Sequence, residues 1–62
     1  MMTEKHSILI IDDDPLIRRI VTRTLDAKGY RVSEARSGAE GLELAFQDPP
    51  DLILLDLMMP EM

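Results

Sequence analysis

Ser7-Ile8-Leu9-Ile10-Ile11-Asp12-Asp13-Asp14-Pro15 is an apolar run that breaks abruptly into three acids and a proline. Ser7–Ile11 holds Ile and Leu without polar alternation, the pattern of a strand buried on both faces. Asp14 before Pro15 is a helix N-cap followed by proline at the first helical position. Leu16, Ile17, Ile20, Val21 and Leu25 then recur at helical spacing, with Arg18, Arg19, Arg23 and Lys28 mostly on other faces. Gly29 is a natural helix stop. Tyr30–Ala35 alternates polar and apolar, which suits a short, half-solvated edge strand. Ser37-Gly38-Ala39-Glu40 reads as a capping box, and Leu42, Ala45 and Phe46 give a short helical stripe ended by Asp48-Pro49-Pro50. Leu52–Leu55 is a second apolar strand, closed by Asp56, and Leu57–Met62 reads as loop.

The alternation strand, helix, strand, helix, strand calls for parallel strands joined by helical crossovers, which are right-handed in nearly all cases. The two apolar strands belong in the centre and the polar one at an edge. The expected spatial order is 2-1-3, with the helices on opposite faces. That order puts a switch point between strands one and three, outside whose carboxyl ends ligands bind in open α/β sheets. Asp12 and Asp13 end strand one and Asp56 ends strand three.

Composition narrows the function. The chain has 62 residues, 12 Asp+Glu against 7 Lys+Arg, and a net charge of −5. Length excludes two domains. The acidic balance disfavours duplex nucleic acid and an anionic membrane as partners. With only Tyr30 and Phe46 as aromatics there is no base-stacking platform. No apolar run approaches the ~20 residues of a membrane span, and Met1–Lys5 leads into no signal-type segment. Cysteine is absent, so a disulfide framework is excluded and a cytoplasmic location is expected. His6 lacks the companions a zinc site needs and reads as a solvated residue before strand one. Gly38 and Gly41 do not have the spacing of a dinucleotide fingerprint.

Convergent acids carry the chemistry. Two like charges ~4 Å apart repel by about 4 kcal/mol at an effective dielectric near 20. A hard divalent cation relieves this, and Mg²⁺ favours carboxylates plus retained waters. A carboxylate beside such a cation is also a nucleophile toward phosphorus. Asp runs before a helix serve as local caps as well, and Asp14 is read that way. Asp56 ends a Leu/Ile strand with no local cap to explain it.

With these residues in view, the sequence resembles the first half of a response-regulator receiver domain of two-component signalling, a flavodoxin-like fold. The matching motifs are Ile8-Leu9-Ile10-Ile11-Asp12-Asp13-Asp14-Pro15, Leu25 with Gly29-Tyr30 and Val32, Ala35 with Gly38 and Leu42, and Asp51-Leu52-Ile53-Leu54-Leu55-Asp56-Leu57-Met58-Met59-Pro60. The flavodoxin-like strand order is itself typified by this family, so the expected order and the resemblance are not independent.

The resemblance implies that Asp56 is the phosphoacceptor, taking a phosphoryl group from a sensor histidine kinase or histidine phosphotransfer domain. It implies Mg²⁺ held by Asp13 directly, by Asp12 largely through water, by Asp56, and by the Met58 carbonyl. The phosphodonor's helices would dock on the first helix, making Leu16, Arg18 and Arg19 contact candidates beside the plainer reading of a solvated face. Where the family usually has Ala, Gly41 is expected only to weaken the second helix, by up to ~1 kcal/mol. The family's fourth and fifth strands, its phosphoryl-contacting Ser/Thr and Lys, and its aromatic switch residue have no counterpart in residues 1–62. The expectation is thus a truncated receiver domain over 1–62, with a flexible segment 1–5 and a βαβαβ unit over 6–62. It is a signalling module rather than an enzyme, with impaired phosphoryl transfer.

An apolar strand three at a sheet edge is a template for pairing. A homodimer joined antiparallel through strand three is expected, with Met58, Met59 and Met62 packing adaptably around it. The competing reading is a non-switching, self-associating scaffold or decoy that binds metal or kinase without being phosphorylated.

Overall fold

A computed structural model describes residues 5–56. Three strands and two helices alternate: β1 (Ser7–Ile11), α1 (Pro15–Ala27), β2 (Arg31–Ala35), α2 (Gly38–Gln47) and β3 (Leu52–Leu55). The sheet order is β2-β1-β3 and both pairings are parallel. Ile8 sits opposite Val32 and Leu52, and Ile11 opposite Ala35 and Leu55. The expected segment 1–5 lies outside the described residues apart from Lys5.

β1 is the core. Among the described residues, Ile8, Leu9, Ile10 and Ile11 are buried, joined only by Ala35 among buried apolar side chains. Side chains of a strand alternate between faces. Leu9, Ile11 and Ala35 pack under Leu44 and Ala45 of α2. Ile8 and Ile10 face the other way, and share grooves with Leu25 and Val21 of α1. The helices therefore lie on opposite faces, as right-handed crossovers require.

Local chemistry sets the ends of α1. The Asp14 carboxylate accepts from the Leu16 and Ile17 amides at 2.9 and 3.4 Å. At the far end the Tyr30 amide reaches back to the Leu25 carbonyl and the Gly29 amide to that of Asp26. This six-to-one and five-to-two pattern needs a left-handed residue, supplied by Gly29 at φ +96°. At α2, Ser37 Oγ accepts from the Glu40 amide at 3.2 Å. The reciprocal half of the expected box is displaced by one residue: the Glu40 carboxylate accepts from the Arg36 amide, at 2.6 Å.

The structure adds three details of packing that the sequence pattern leaves open. The stripe Leu42, Ala45, Phe46 is not the inward face of α2. Leu42 and Phe46 are exposed, Phe46 at 83%, and the helix turns Gly41, Leu44 and Ala45 to the sheet. Gly41 is more than a weak helix residue, since it is buried. A Cβ there would collide with Ile11 Cδ1 and lie 2.8 Å from Ile11 Cγ1, so its small size lets α2 sit close on β1. In α1, Leu16, Ile17 and Ile20 are exposed and only Val21 and Leu25 of the stripe are half-buried, because the sheet beneath is only three strands wide.

One polar clasp ties the start of β1 to the start of β3. The Asp51 carboxylate accepts from the Ser7 amide at 2.7 Å and the Ser7 hydroxyl at 3.3 Å, with His6 Nδ1 at 3.7 Å. The Asp51 amide donates back to the Ser7 carbonyl at 2.9 Å. The Ser7 amide, helped by its hydroxyl and by His6, holds the Asp51 carboxyl below its ordinary value against the opposing effect of desolvation. A depressed folded-state pKa contributes stability above the unfolded value, ~3.9, and loses it as pH falls through the folded value. Asp51→Asn is therefore expected to lower the urea midpoint slightly at neutral pH. The gap to wild type should close in acid, below the folded Asp51 pKa. A gap that stays constant across that range would contradict the assignment.

Candidate functional site

The site is made where β1 and β3 leave the sheet side by side. Asp12 is the first residue past β1 and is buried. Its amide donates to the Ala35 carbonyl at 3.1 Å, which prolongs the β1–β2 ladder by one bond. One carboxylate oxygen accepts from the Asp14 amide at 2.9 Å. Its carbonyl accepts from Arg18 Nη1 at 2.8 Å. Asp13 is exposed. Asp56 follows β3, is half-buried, and donates its amide to the Ile11 carbonyl at 3.0 Å. Asp12, Asp13 and Asp56 each offer a carboxylate oxygen, and these oxygens all lie within 4.8 Å of one another.

The sheet thus brings together the three acids singled out from the sequence. Hard carboxylate oxygens from three side chains, at that separation, suit a small hard dication such as Mg²⁺. The fourth ligand expected from the resemblance, the Met58 carbonyl, lies outside the described residues, as do Met59 and Met62.

Comparison with known proteins decides the family. Residues 8–62 match the model of the response regulator receiver domain. The chain belongs to the response regulator receiver domain family. Among curated relatives, this receiver chain is 54% identical over 54 residues to the DNA-binding dual master transcriptional regulator RpaA of Synechocystis. That match covers 87% of the chain and 22% of the relative. It is 44% identical over 55 residues to the response regulator MprA of Mycolicibacterium vanbaalenii, covering 89% and 24%. The chemotaxis response regulator CheY4 of Vibrio cholerae superposes with a TM-score of 0.89 at 37% identity, over 95% of this chain and 49% of that one. The receiver chain therefore spans about a quarter of the length of these curated relatives. Among the described residues, no helix is long and apolar enough to cross a membrane.

The docking candidates on α1 divide. Leu16 and Arg19 are exposed. Arg18 is not displayed for a partner. Its side chain is only 14% exposed, and its Nε donates to Glu34 of β2 at 2.9 Å. Reading the sequence alone missed this inward role. The available signal was Glu34, an acid on the β2 face that Val32 shares and that lies toward α1, where a buried partner of opposite sign is needed.

Proposed function

We propose that this receiver chain accepts a phosphoryl group on Asp56 within a two-component phosphorelay, with Mg²⁺ bound by Asp12, Asp13 and Asp56 and completed by the Met58 carbonyl. The carrying observation is the convergence of three carboxylates from two neighbouring strand ends within 4.8 Å. A bound dication supplies charge neutralisation of the transferring phosphoryl oxygens. An Asp56 carboxylate oxygen attacks the phosphorus of a phosphohistidine. The new O–P bond forms as the P–N bond breaks, and the leaving imidazole takes up a proton. Asp12, buried and with one oxygen tied to the Asp14 amide, is suited to hold rather than to attack. The donor is a sensor histidine kinase or histidine phosphotransfer domain, and the exposed Leu16 and Arg19 are the α1 contacts best placed to meet it.

The test is intact mass after incubation with a small phosphodonor, with and without Mg²⁺. The expected result is a phosphoryl adduct that requires Mg²⁺. Absence of any adduct on folded protein would favour the scaffold reading, in which metal or kinase is bound without phosphoryl chemistry.

A second reading concerns assembly. All four residues of β3 are exposed, at 38–52%, although all are Leu or Ile. No strand pairs with its outer edge among the described residues. An apolar groove flanks it on each face. One, of about 530 Å³, includes Ile11, Leu42, Ile53 and Leu55, and the other, about 450 Å³, includes Leu25, Tyr30, Leu52 and Leu54. Two copies paired antiparallel through β3 would satisfy the edge and cover both grooves. Sedimentation should then show a dimer dissociating on dilution with loss of near-UV signal. A native-like monomer at low concentration would sink this reading.

A further inference from the structure

We propose that Arg18, anchored by Glu34, is a positioning residue for the cation site, fixing through the Asp12 carbonyl the backbone that carries Asp12 and Asp13. The proposal rests on the Mg²⁺ reading above. Asp12 stands where β1 has left the sheet and α1 has not begun. Its amide keeps a ladder bond to Ala35. Its carbonyl lies beyond the last β1 pairing and before the helix, whose first internal bond runs from the Arg18 amide to the Asp14 carbonyl. A carbonyl here, on a buried residue, needs a donor from elsewhere.

Arg18 supplies it from one turn into α1, at 2.8 Å through Nη1. The same guanidinium donates through Nε to Glu34 Oε1 at 2.9 Å. Two donors of one planar fork therefore join the β1–α1 loop, helix α1 and strand β2, with the side chain only 14% exposed. Glu34 is paired with Ile10 in the β1–β2 register, next to the point where Asp12 leaves the sheet. A guanidinium can span both acceptors at once, whereas a lysine ammonium is a single point. Groups that orient metal-holding residues from behind commonly change metal affinity by 10–100-fold.

The charge of Arg18 gives the test its direction. A cation near three carboxylates repels an incoming dication. By Coulomb's law alone, removing it should tighten Mg²⁺ binding. Positioning makes the opposite demand. Arg18→Met keeps the apolar stem and removes both donors.

The experiment is a Mg²⁺ titration of the full chain followed by backbone amide chemical shifts, in wild type, Arg18→Met, Arg18→Lys and Glu34→Gln. The spectra also report whether each variant is folded. The expected result is ~10-fold weaker binding in folded Arg18→Met, a loss that Arg18→Lys does not restore. Glu34→Gln, which leaves the carbonyl contact in place, serves should Arg18→Met fail to fold. It is expected to weaken binding by about 3-fold, less than the ~10–100-fold of a group that orients the site directly, because the carbonyl contact survives. Unchanged or tighter binding in folded Arg18→Met, full recovery with lysine, or no loss in Glu34→Gln would overturn the positioning role while leaving the Mg²⁺ reading intact. Wild type that binds no Mg²⁺ would overturn both.

Discussion

Asp56→Asn is expected to leave the chain folded and to remove all Mg²⁺-dependent phosphoryl labelling. The fold is expected to be spared because one contact that holds residue 56 to the sheet is its backbone amide on the Ile11 carbonyl, at 3.0 Å. Any side chain keeps that bond, and asparagine matches aspartate in shape. The chemistry is lost because a neutral amide oxygen is a poor nucleophile toward phosphorus and a weaker ligand for a hard cation. Asp12 cannot take over easily, being buried with one oxygen already accepting the Asp14 amide. Asp13 is the one alternative acceptor, since it is exposed and within the same cluster. Mass spectrometry of the variant decides between them. An adduct that persists in Asp56→Asn, mapped to Asp13, would reassign the acceptor.

The second large effect falls on folding itself. Leu9→Ala should cost ~2–5 kcal/mol, the usual penalty for truncating a buried leucine. Leu9 is 1% exposed, between Ile11, Ala35 and the Leu44–Ala45 side of α2. A core of this size supplies only ~3–5 kcal/mol in all. The loss is thus comparable with the whole, and Leu9→Ala is expected to be largely unfolded by circular dichroism at room temperature. Phe46→Ala, despite removing a larger side chain, is expected to change stability by about 0.5 kcal/mol or less, because Phe46 is exposed. Equal effects from the two substitutions would mean that β1 is not the core.

Much of this was legible in the order of residues. The unbroken Ile8–Ile11 run marked the central strand. The alternation through Tyr30–Ala35 marked the edge. Asp12, Asp13 and Asp56 could be placed together once those strands were ordered, because each lies at a strand's carboxyl end. What the sequence did not reveal depends on where surfaces meet. Leu42 and Phe46 are apolar at helical spacing, yet periodicity cannot tell which apolar stripe faces the sheet when Leu44 and Ala45 offer another. Gly41 looked like a weak helix residue, and only the approach of Ile11 shows that its missing Cβ is space the packing uses. Arg18 looked like one of several surface arginines. Its partners, a β2 carboxylate and a backbone carbonyl, become neighbours only when the chain is folded.

The two borders of the sheet differ in kind, and under the assembly reading that difference would limit how far the molecule could polymerise. β2 presents the exposed Arg31 and Ser33 and carries the α1-facing, Arg18-paired Glu34, side chains that discourage a further strand from joining. β3 presents only Leu and Ile. Growth into a filament needs two unlike borders that fit each other, so that every addition exposes a fresh acceptor. On the assembly reading, the apolar border would pair with its own kind. Once two such borders have met, both ends of the joined sheet are charged ones and no site for elongation is left. If β3 pairs with its copy as proposed, the sheet would in this sense act as a chain terminator, with the charged residues of β2 discouraging a third copy from joining.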